Sequence, residues 1–350
     1  MVKKADLPEG KKNMDPLAAS IVNAVSKKYG DGVVFMADEA DAPYKISAFI
    51  PTGNIVLDKI CGGGIPVGRI TEIYGDFSTG KSALAYKILA NTQKMGGVAI
   101  LFDTEMAYDA EWAERVFGLD PHNLIPMMVD TIEEFAELVS FTIEDAKAKR
   151  DGRIITIVLD SVAATSFKTE MDGTRASEMG KRGGLWSEWL RKNSRMIAKE
   201  KVALVFINQI RDKMNVMYGA KTDTPGGHAI KFHSSIRLKM KNVEDIKDEK
   251  TKEVIGARIE LFTEKNKIAP PSKTATFVLD FEKGIGLYDG LLDYLCNRGV
   301  IQQAGGWYNY GTKKKFRSSD FEEVLKEFPE LLDLTQKATE SELKNEEPTS

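Results

Sequence analysis

The chain has 350 residues, 42% of them apolar and 29% charged, with 49 Lys and Arg against 52 Asp and Glu for a formal net charge of −3. That length supports one large or two modest domains, and that balance suits a soluble globular protein. It excludes a uniformly basic nucleic-acid coat, although a local basic strip, which governs phosphate contact, stays possible. No run approaches the roughly 18 apolar residues of a membrane span. The stretch Met1–Pro8 lacks the apolar core of a secretion signal. Cys61 and Cys296 have no metal or redox spacing and read as reduced thiols of a cytoplasmic protein.

Asp15-Pro16 reads as an N-cap followed by proline at the first helical position. Leu17, Ile21 and Val25 follow at helical spacing, and Gly30 sits where a C-cap belongs. A strand-like run, Val33–Met36, comes next. This helix and strand, within residues 1–38, are too small to fold alone. Their apolar stripe packs either on the chain's own core or on a neighbouring subunit, and spacing does not choose.

Arg69–Tyr74 is strand-like and Ala83–Ala90 helix-like. Between them Gly75, Asp76, Phe77, Ser78, Thr79, Gly80, Lys81 and Ser82 fit G-x-x-x-x-G-K-[ST], the phosphate-binding loop of nucleoside triphosphatases. The glycines let successive N–H groups turn toward phosphate oxygens. Lys81 supplies a point charge at the β- and γ-phosphates, and the Ser82 hydroxyl is a Mg²⁺ ligand. A helix starting at Lys81 aims its positive end at the same place. Gly62-Gly63-Gly64, just upstream, reads as a turn.

Further apolar runs alternate with helical patterns: Val98–Phe102, Ile154–Leu159, Ala203–Ile207, Ile236–Met240 and Arg258–Phe262. Continuous apolar strands between helices predict an α/β fold with a mostly parallel sheet covered on both faces. Asp160 closes one strand and suits water-mediated Mg²⁺ binding. Asp103-Thr104-Glu105 closes another. If that strand neighbours the phosphate-loop strand, Glu105 sits near the γ-phosphate and orients the attacking water; a capping role is the less favoured alternative. Asn208-Gln209 closes a third, where an amide both donates and accepts and so senses a γ-phosphate. A glycine-rich loop, Ile210–Gly227, follows. Ala269–Ser272 reads as a proline hinge, dividing a core of residues 39–268 from a small C-terminal α/β domain of residues 269–335. Residues 336–350 are polar and expected to be disordered.

Several runs agree with one family. Gly68–Gly75, Leu159–Ala164, Phe206-Ile207-Asn208-Gln209-Ile210-Arg211, Gly226–Phe232, Lys265-Asn266-Lys267-Ile268-Ala269 and Gly305–Tyr308 occur in order. Over residues 13–335 the chain resembles the RecA recombinase family. The resemblance implies a RecA-like ATPase core and a recombinase that forms head-to-tail helical filaments on single-stranded DNA, hydrolyses ATP with Mg²⁺, and exchanges strands with a homologous duplex. It implies that Glu105 activates water, that Gln209 contacts the γ-phosphate and orders a DNA loop, and that Lys265 and Lys267 reach the ATP of the adjacent subunit. From spacing alone those two lysines read as a solvated pair in a turn. Trp112 falls where the family stacks an aromatic on adenine, and Asp109 where it contacts the base; Trp112 also fits as plain core.

Two segments are implied to line DNA, about Ser166–Arg195 and Ile210–Lys231. The first holds seven basic residues against four acids, although Leu185–Ile197 also reads as an ordinary amphipathic helix. Ser187, Arg191, Arg211, Lys213, Gly226, Gly227 and His228 are the implied DNA contacts, with Met179 and Met214 as wedges between groups of stacked bases. Amides and cations would grip the backbone without reading sequence. The chain departs from the family pattern in Glu170–Ser177, Pro225, His228 and His233. A ring helicase on the same core is disfavoured because hexamer-forming linkers are absent. Intact Lys81, Glu105 and Asp160 argue against a passive binder.

Overall fold

The computed structural model describes residues 15–30, 33–35, 42, 44–149, 152–168, 178–212 and 222–332. The chain divides into two compact units, Met1–Lys45 and Ile46–Ser350. In the first, helix α1 (Pro16–Tyr29) starts as predicted: the Asp15 carboxylate accepts from the N–H groups of Leu17 and Ala18 at 2.9 and 3.1 Å. It ends at Gly30, φ 86°, with Lys27 and Lys28 in the last turn. The expected strand at Val33–Met36 is corrected: Val33–Phe35 form no strand, and Met36 lies outside the described residues.

The second unit is built on a nine-stranded sheet. In chain order its strands are β3 (Ile70–Gly75), β4 (Val98–Asp103), β5 (Leu124–Met127), β6 (Ile155–Asp160), β7 (Val202–Gln209), β10 (Ile236–Lys247), β11 (Val254–Asn266), β12 (Thr274–Asp280) and β13 (Gly284–Ile285). Across the sheet they run β13-β12-β11-β10-β3-β7-β6-β4-β5. The pairs from β10 to β5 are parallel, as the continuous apolar runs predict, and those from β10 to β13 are antiparallel. Alternation divides each central strand between two cores. Ala203, Val205 and Ile207 face helices α2 (Ile55–Cys61), α3 (Lys81–Lys94) and α4 (Ala110–Phe117). Val202, Leu204 and Phe206 face α5 (Ile132–Lys149), α6 (Glu178–Lys199) and α7 (Gly227–His233).

Two short two-stranded sheets, antiparallel β1 (Phe49–Ile50) with β2 (Ile65–Pro66) and antiparallel β8 (Arg211–Asp212) with β9 (Thr222–Asp223), lie outside this sheet. The triple glycine is a turn between α2 and β2. Gly62 is left-handed, φ 90°, and a Cβ on Gly64 would meet the Ile50 carbonyl at 2.5 Å.

The division at Ala269–Ser272 is also corrected. That segment is the turn between β11 and β12, and β12 returns beside β11 with Phe262 opposite Thr274. Proline interrupts the strand without ending the sheet. The small C-terminal portion begins after β13, with α8 (Leu291–Asn297), β14 (Gln302–Ala304), β15 (Trp307–Tyr310), β16 (Lys314–Phe316) and α9 (Phe321–Glu327). Leu291, Leu295, Phe316 and Val324 extend the first core. The Asn54 amide, which N-caps α2, also donates to the carbonyls of Gly286 and Asp289 at 2.8 and 2.9 Å. The polar tail after residue 332 lies outside the described residues.

A buried ion pair joins four strands. Glu72 of β3 has no exposed surface and accepts from Arg237 Nε of β10 at 2.6 Å and from Asn208 Nδ2 of β7 at 3.0 Å. Arg237 also pairs with Glu264 of β11 and lies 4.5 Å from the Tyr74 ring centre. Removing one member leaves a buried charge uncompensated. Glu72→Leu is therefore expected to cost about 3 kcal/mol in urea unfolding, and Glu72→Leu with Arg237→Leu to recover most of it.

Candidate nucleotide and DNA site

β3 runs into a turn that only a particular backbone permits. A Cβ on Gly75 would sit 2.2 Å from the Met240 carbonyl, and one on Gly80 would sit 2.7 Å from Leu279. Ser78 and Gly80 are left-handed, φ 56° and 78°. Gly80 N-caps α3 without a side-chain acceptor, so the first N–H groups of that helix keep their donor capacity. Asp76, Phe77 and Ser78 are exposed, whereas Thr79 and Lys81 are buried. The Thr79 hydroxyl donates to the Asp76 carbonyl at 3.0 Å. Lys81 Nζ donates to that same carbonyl at 2.6 Å. Burial pushes the Lys81 ammonium below its usual range, against the pull of Asp160, Glu105 and Asp76. A cradle of turned amides with a buried ammonium satisfied only by its own loop fits a polyphosphate.

Asp160 ends β6. Burial raises its carboxyl to about 6, with Glu105 and Asp103 adding repulsion and a hydrogen bond from Ser82 opposing the rise. A carboxylate beside a hydroxyl, crowded by two further carboxylates with only Lys81 to oppose them, fits Mg²⁺. These two groups are too few for an all-protein cage, so phosphate oxygens and water would complete the shell.

Glu105 enters the site by a route the sequence did not indicate. β4 does not neighbour β3; β7 and β6 lie between them. Thr104 ties the end of β4 to β6, its hydroxyl donating to the Asp160 carbonyl at 3.0 Å and accepting from Ser161 N–H at 2.8 Å. The Asp160–Ser161 peptide is cis. Glu105 Oε1 then accepts from Ser161 Oγ at 2.5 Å and from Gln209 Nε2 at 3.0 Å. Gln209 pairs in register with Gly75, so its amide stands beside the phosphate loop. Asn208 accepts from the Gln209 N–H at 3.0 Å and donates to the Pro225 carbonyl at 2.8 Å. The strand end and the close of the glycine-rich loop are thus one hydrogen-bonded unit.

Asp109 N-caps α4 by accepting from Trp112 N–H at 2.9 Å. Trp112 is half-buried: it packs edge-on against Phe117, as its core reading expects, and its indole N–H donates to the Phe281 carbonyl at 3.3 Å. Phe281, 42% exposed, is an aromatic that sequence reasoning missed, as are the roles of Ser161 and Thr104. Their only signal was position, immediately after a strand.

Lys265 and Lys267 are not brought to this chain's own phosphate loop. Lys265 pairs with Arg237, which pairs with Glu72, three residues before Gly75. Strand spacings then put Lys265 about 14 Å from Gly75, beyond the reach of a lysine, with Lys267 farther still. Lys265 Nζ instead donates to the carbonyls of Lys231 and Phe232, at 2.6 and 2.9 Å. Burial, then Lys267 and Arg237, pushes its ammonium down to about 8.

The two segments expected to line DNA meet where α6 packs on α7. A Cβ on Gly227 would approach Gly183 at 3.7 Å. Gly226 and Gly227 are left-handed, φ 87° and 62°. α6 is amphipathic in the ordinary way as well: Trp186 and Leu190 are buried against Phe135 and Phe206, while Arg191 is exposed and Ser187 half-buried. Arg211 and His228 are exposed. Lys213 and Met214 lie outside the described residues, as does the side chain of Met179.

A strand–loop–helix phosphate cradle, faced by carboxylates on the ends of a mainly parallel sheet, defines a P-loop nucleotide-binding protein. The RecA N-terminal domain family matches residues 17–286. The chain is 39% identical to Protein RecA of Heliobacterium modesticaldum over 309 residues, covering 88% of this chain and 86% of that one. It is 37% identical to Protein RecA of Aquifex aeolicus over 341 residues, 96% and 94% of the two chains. It is likewise 37% identical to Protein RecA of Chlorobium chlorochromatii over 313 residues, 89% and 86% of each. The chain belongs to the RecA family. It is a nucleotide-using, DNA-binding and filament-forming recombinase of recombination and repair. Among the described residues no helix is long and apolar enough to cross a membrane.

Without a cation, the raised Asp160 carboxyl costs no stability below about pH 4; the cost grows from there to about pH 6 and is complete above it. Asp160→Asn is expected to stabilise the nucleotide-free protein by about 1–3 kcal/mol at pH 7, with the gain shrinking toward pH 4. Calorimetric melting at both pH values reads this, and the same variant should lose Mg²⁺-dependent nucleotide binding.

Proposed function

We propose that the protein is a Mg²⁺-dependent, DNA-stimulated ATPase whose ATP state grips single-stranded DNA and pairs it with a homologous duplex. The observation that carries this is the bridge from Ser161 and Gln209 to Glu105 beside the phosphate loop. Both donors use Oε1, leaving Oε2 to accept a proton from an attacking water. Lys81 and the turned amides hold phosphate, and Ser82 and Asp160 hold Mg²⁺, which when bound neutralises charge on the phosphate oxygens. Trp112 and Phe281 present aromatic surface to the adenine, with Asp109 at its edge.

Gln209 has a second amide N–H with which to meet a γ-phosphate. Its backbone reaches the Pro225 carbonyl through Asn208 alone, so a shift at Gln209 is passed to the DNA segment. Ser187, Arg191, Arg211, Lys213, Gly226, Gly227 and His228 hold DNA phosphates, and Met179 and Met214 separate stacked bases.

Lys265 and Lys267 act on the nucleotide of the next copy, since they lie far from their own. Self-association through residues 1–38 is supported by exposed Leu17 and Ile21 on α1. It is also supported by the edge strand β5, which has exposed Ile125 with Met128 and Phe141 nearby. Repeated head to tail without closure, such a contact gives an open filament. The two free cysteines fit a cytoplasmic protein.

Lys81→Ala is expected to abolish ATP hydrolysis. Glu105→Gln should retain ATP and DNA binding while turnover falls at least about 100-fold. A phosphate-release assay with and without single-stranded DNA checks both, and a three-strand exchange assay checks the recombinase activity itself. Lys267→Ala subunits keep a working phosphate loop, and Lys81→Ala subunits keep both lysines. Mixed filaments of the two are expected to hydrolyse ATP faster than either alone; a mixture no better than its parts would reject action across the seam.

A further inference from the structure

His233, at the last position of α7, stands in a ring of cations. Arg191 of α6, Lys265 of β11 and Lys267 just beyond it are the charged groups that act on its imidazole. No carboxylate among the described residues does so. On its own helix Lys231 is paired with Asp223, and the Phe232 ring lies 5.3 Å from the imidazole. Lys267 Nζ in turn lies 5.9 Å from the Phe232 ring centre. Glu72 reaches Lys265 and Glu188 reaches Arg191, but neither acts on the imidazole, so positive charge at the ring is left for an anion that arrives from outside.

The hydrogen bonds define the tautomer. The Ser194 hydroxyl has one proton and donates it to the Leu190 carbonyl. Its oxygen can then only accept from His233 Nδ1, 3.2 Å away. The neutral ring therefore carries its proton on Nδ1, and Nε2 has a lone pair with no partner among the described residues. Burial and the three surrounding cations push the imidazole below its usual range, so it is neutral at pH 7.

We propose that His233 is a third group acting on the triphosphate of the adjoining copy, beside Lys265 and Lys267, and that it takes up one proton when that phosphate arrives. This rests on the placement of the two lysines across the seam. The proton comes from solvent to Nε2, making the ring a double donor, and returns to solvent when the phosphate leaves. The anion assigned is the nucleotide rather than DNA, because the two lysines placed across the seam flank the ring: Lys265 Nζ donates to the Lys231 and Phe232 carbonyls, and Lys267 Nζ lies over the Phe232 ring beside the imidazole. Proton uptake makes nucleotide affinity rise as pH falls toward 6.5.

The test is titration calorimetry of ATPγS into protein bound to single-stranded DNA, at pH 7, in two buffers of different ionisation enthalpy. His233→Asn keeps a donor where Nδ1 was and removes the titration; a melting curve checks that it is folded. Wild type should take up at least about half a proton more per ATPγS than the variant. Titrating DNA into nucleotide-free protein should show no such difference. Equal uptake in wild type and variant, or a difference seen only with DNA, overturns the proposal. If the Asn variant does not fold, wild type decides: ATPγS should bind at least about threefold tighter at pH 6.5 than at pH 8, and unchanged affinity overturns the proposal. The mixed-filament experiment separates the two ideas. Complementation with equal uptake removes only His233, whereas failed complementation removes the seam and this proposal with it, even if uptake persists.

Discussion

A buried carboxylate, Glu72, is the constraint around which the functional parts of the sheet are arranged. Its charge has to be answered inside the protein, and the answers come from Arg237 and Asn208. Each of these lies on a different strand, and each leads somewhere useful. β3 ends in the phosphate loop three residues after Glu72. β7 ends in Gln209 one residue after Asn208. Arg237 leads through β10 to Lys265 opposite it on β11. A buried pair of this kind is weak evidence for net stability, because desolvation offsets most of the attraction. Its clearer effect is registry: slipping β3 or β10 by one residue would leave a charge without a partner, and slipping β7 would take away the amide that Glu72 also accepts from.

From that registry the carboxyl edge acquires its chemistry. Gln209 is opposite Gly75, and Asp160 is opposite Asp103, because parallel strands carry their ends to one side. Thr104 then stitches the end of β4 to β6, and Glu105 is drawn toward Gln209 across an intervening strand. The same Asn208 that answers Glu72 also holds the Pro225 carbonyl. One side chain therefore joins the interior, the nucleotide edge and the close of the glycine-rich loop. Such a short chain of rigid contacts is a physical basis for coupling, since packed interiors pass on displacement instead of absorbing it.

The sheet has two functional ends. Phosphate-binding groups gather at the carboxyl ends of the parallel strands, whereas Lys265, Lys267 and His233 gather toward the opposite end. Antiparallel β11 carries its last residues away from the phosphate loop, which keeps Lys265 and Lys267 out of reach of this copy's own cradle. In the proposed head-to-tail filament, the second end of one copy would be set against the first end of the next.

Much of this was legible in the chain itself. The phosphate loop was readable because glycine spacing, lysine and hydroxyl are required at set positions along contiguous backbone. The parallel core was readable because strands covered on both faces must be apolar throughout, and α1 because its caps are local. Tertiary structure alone decided the rest. Strand order put β7 and β6 between β3 and β4, so Glu105 reaches its place through Ser161 and Thr104, a contact no spacing encodes. The proline turn at residues 269–272 looked like a domain boundary, yet β12 pairs with β11, because pairing is chosen by partners far away in sequence. Phe281 beside Trp112 and His233 among its cations arise in the same way. Local chemistry is written along the backbone, whereas proximity between distant strands comes only from burying their faces together.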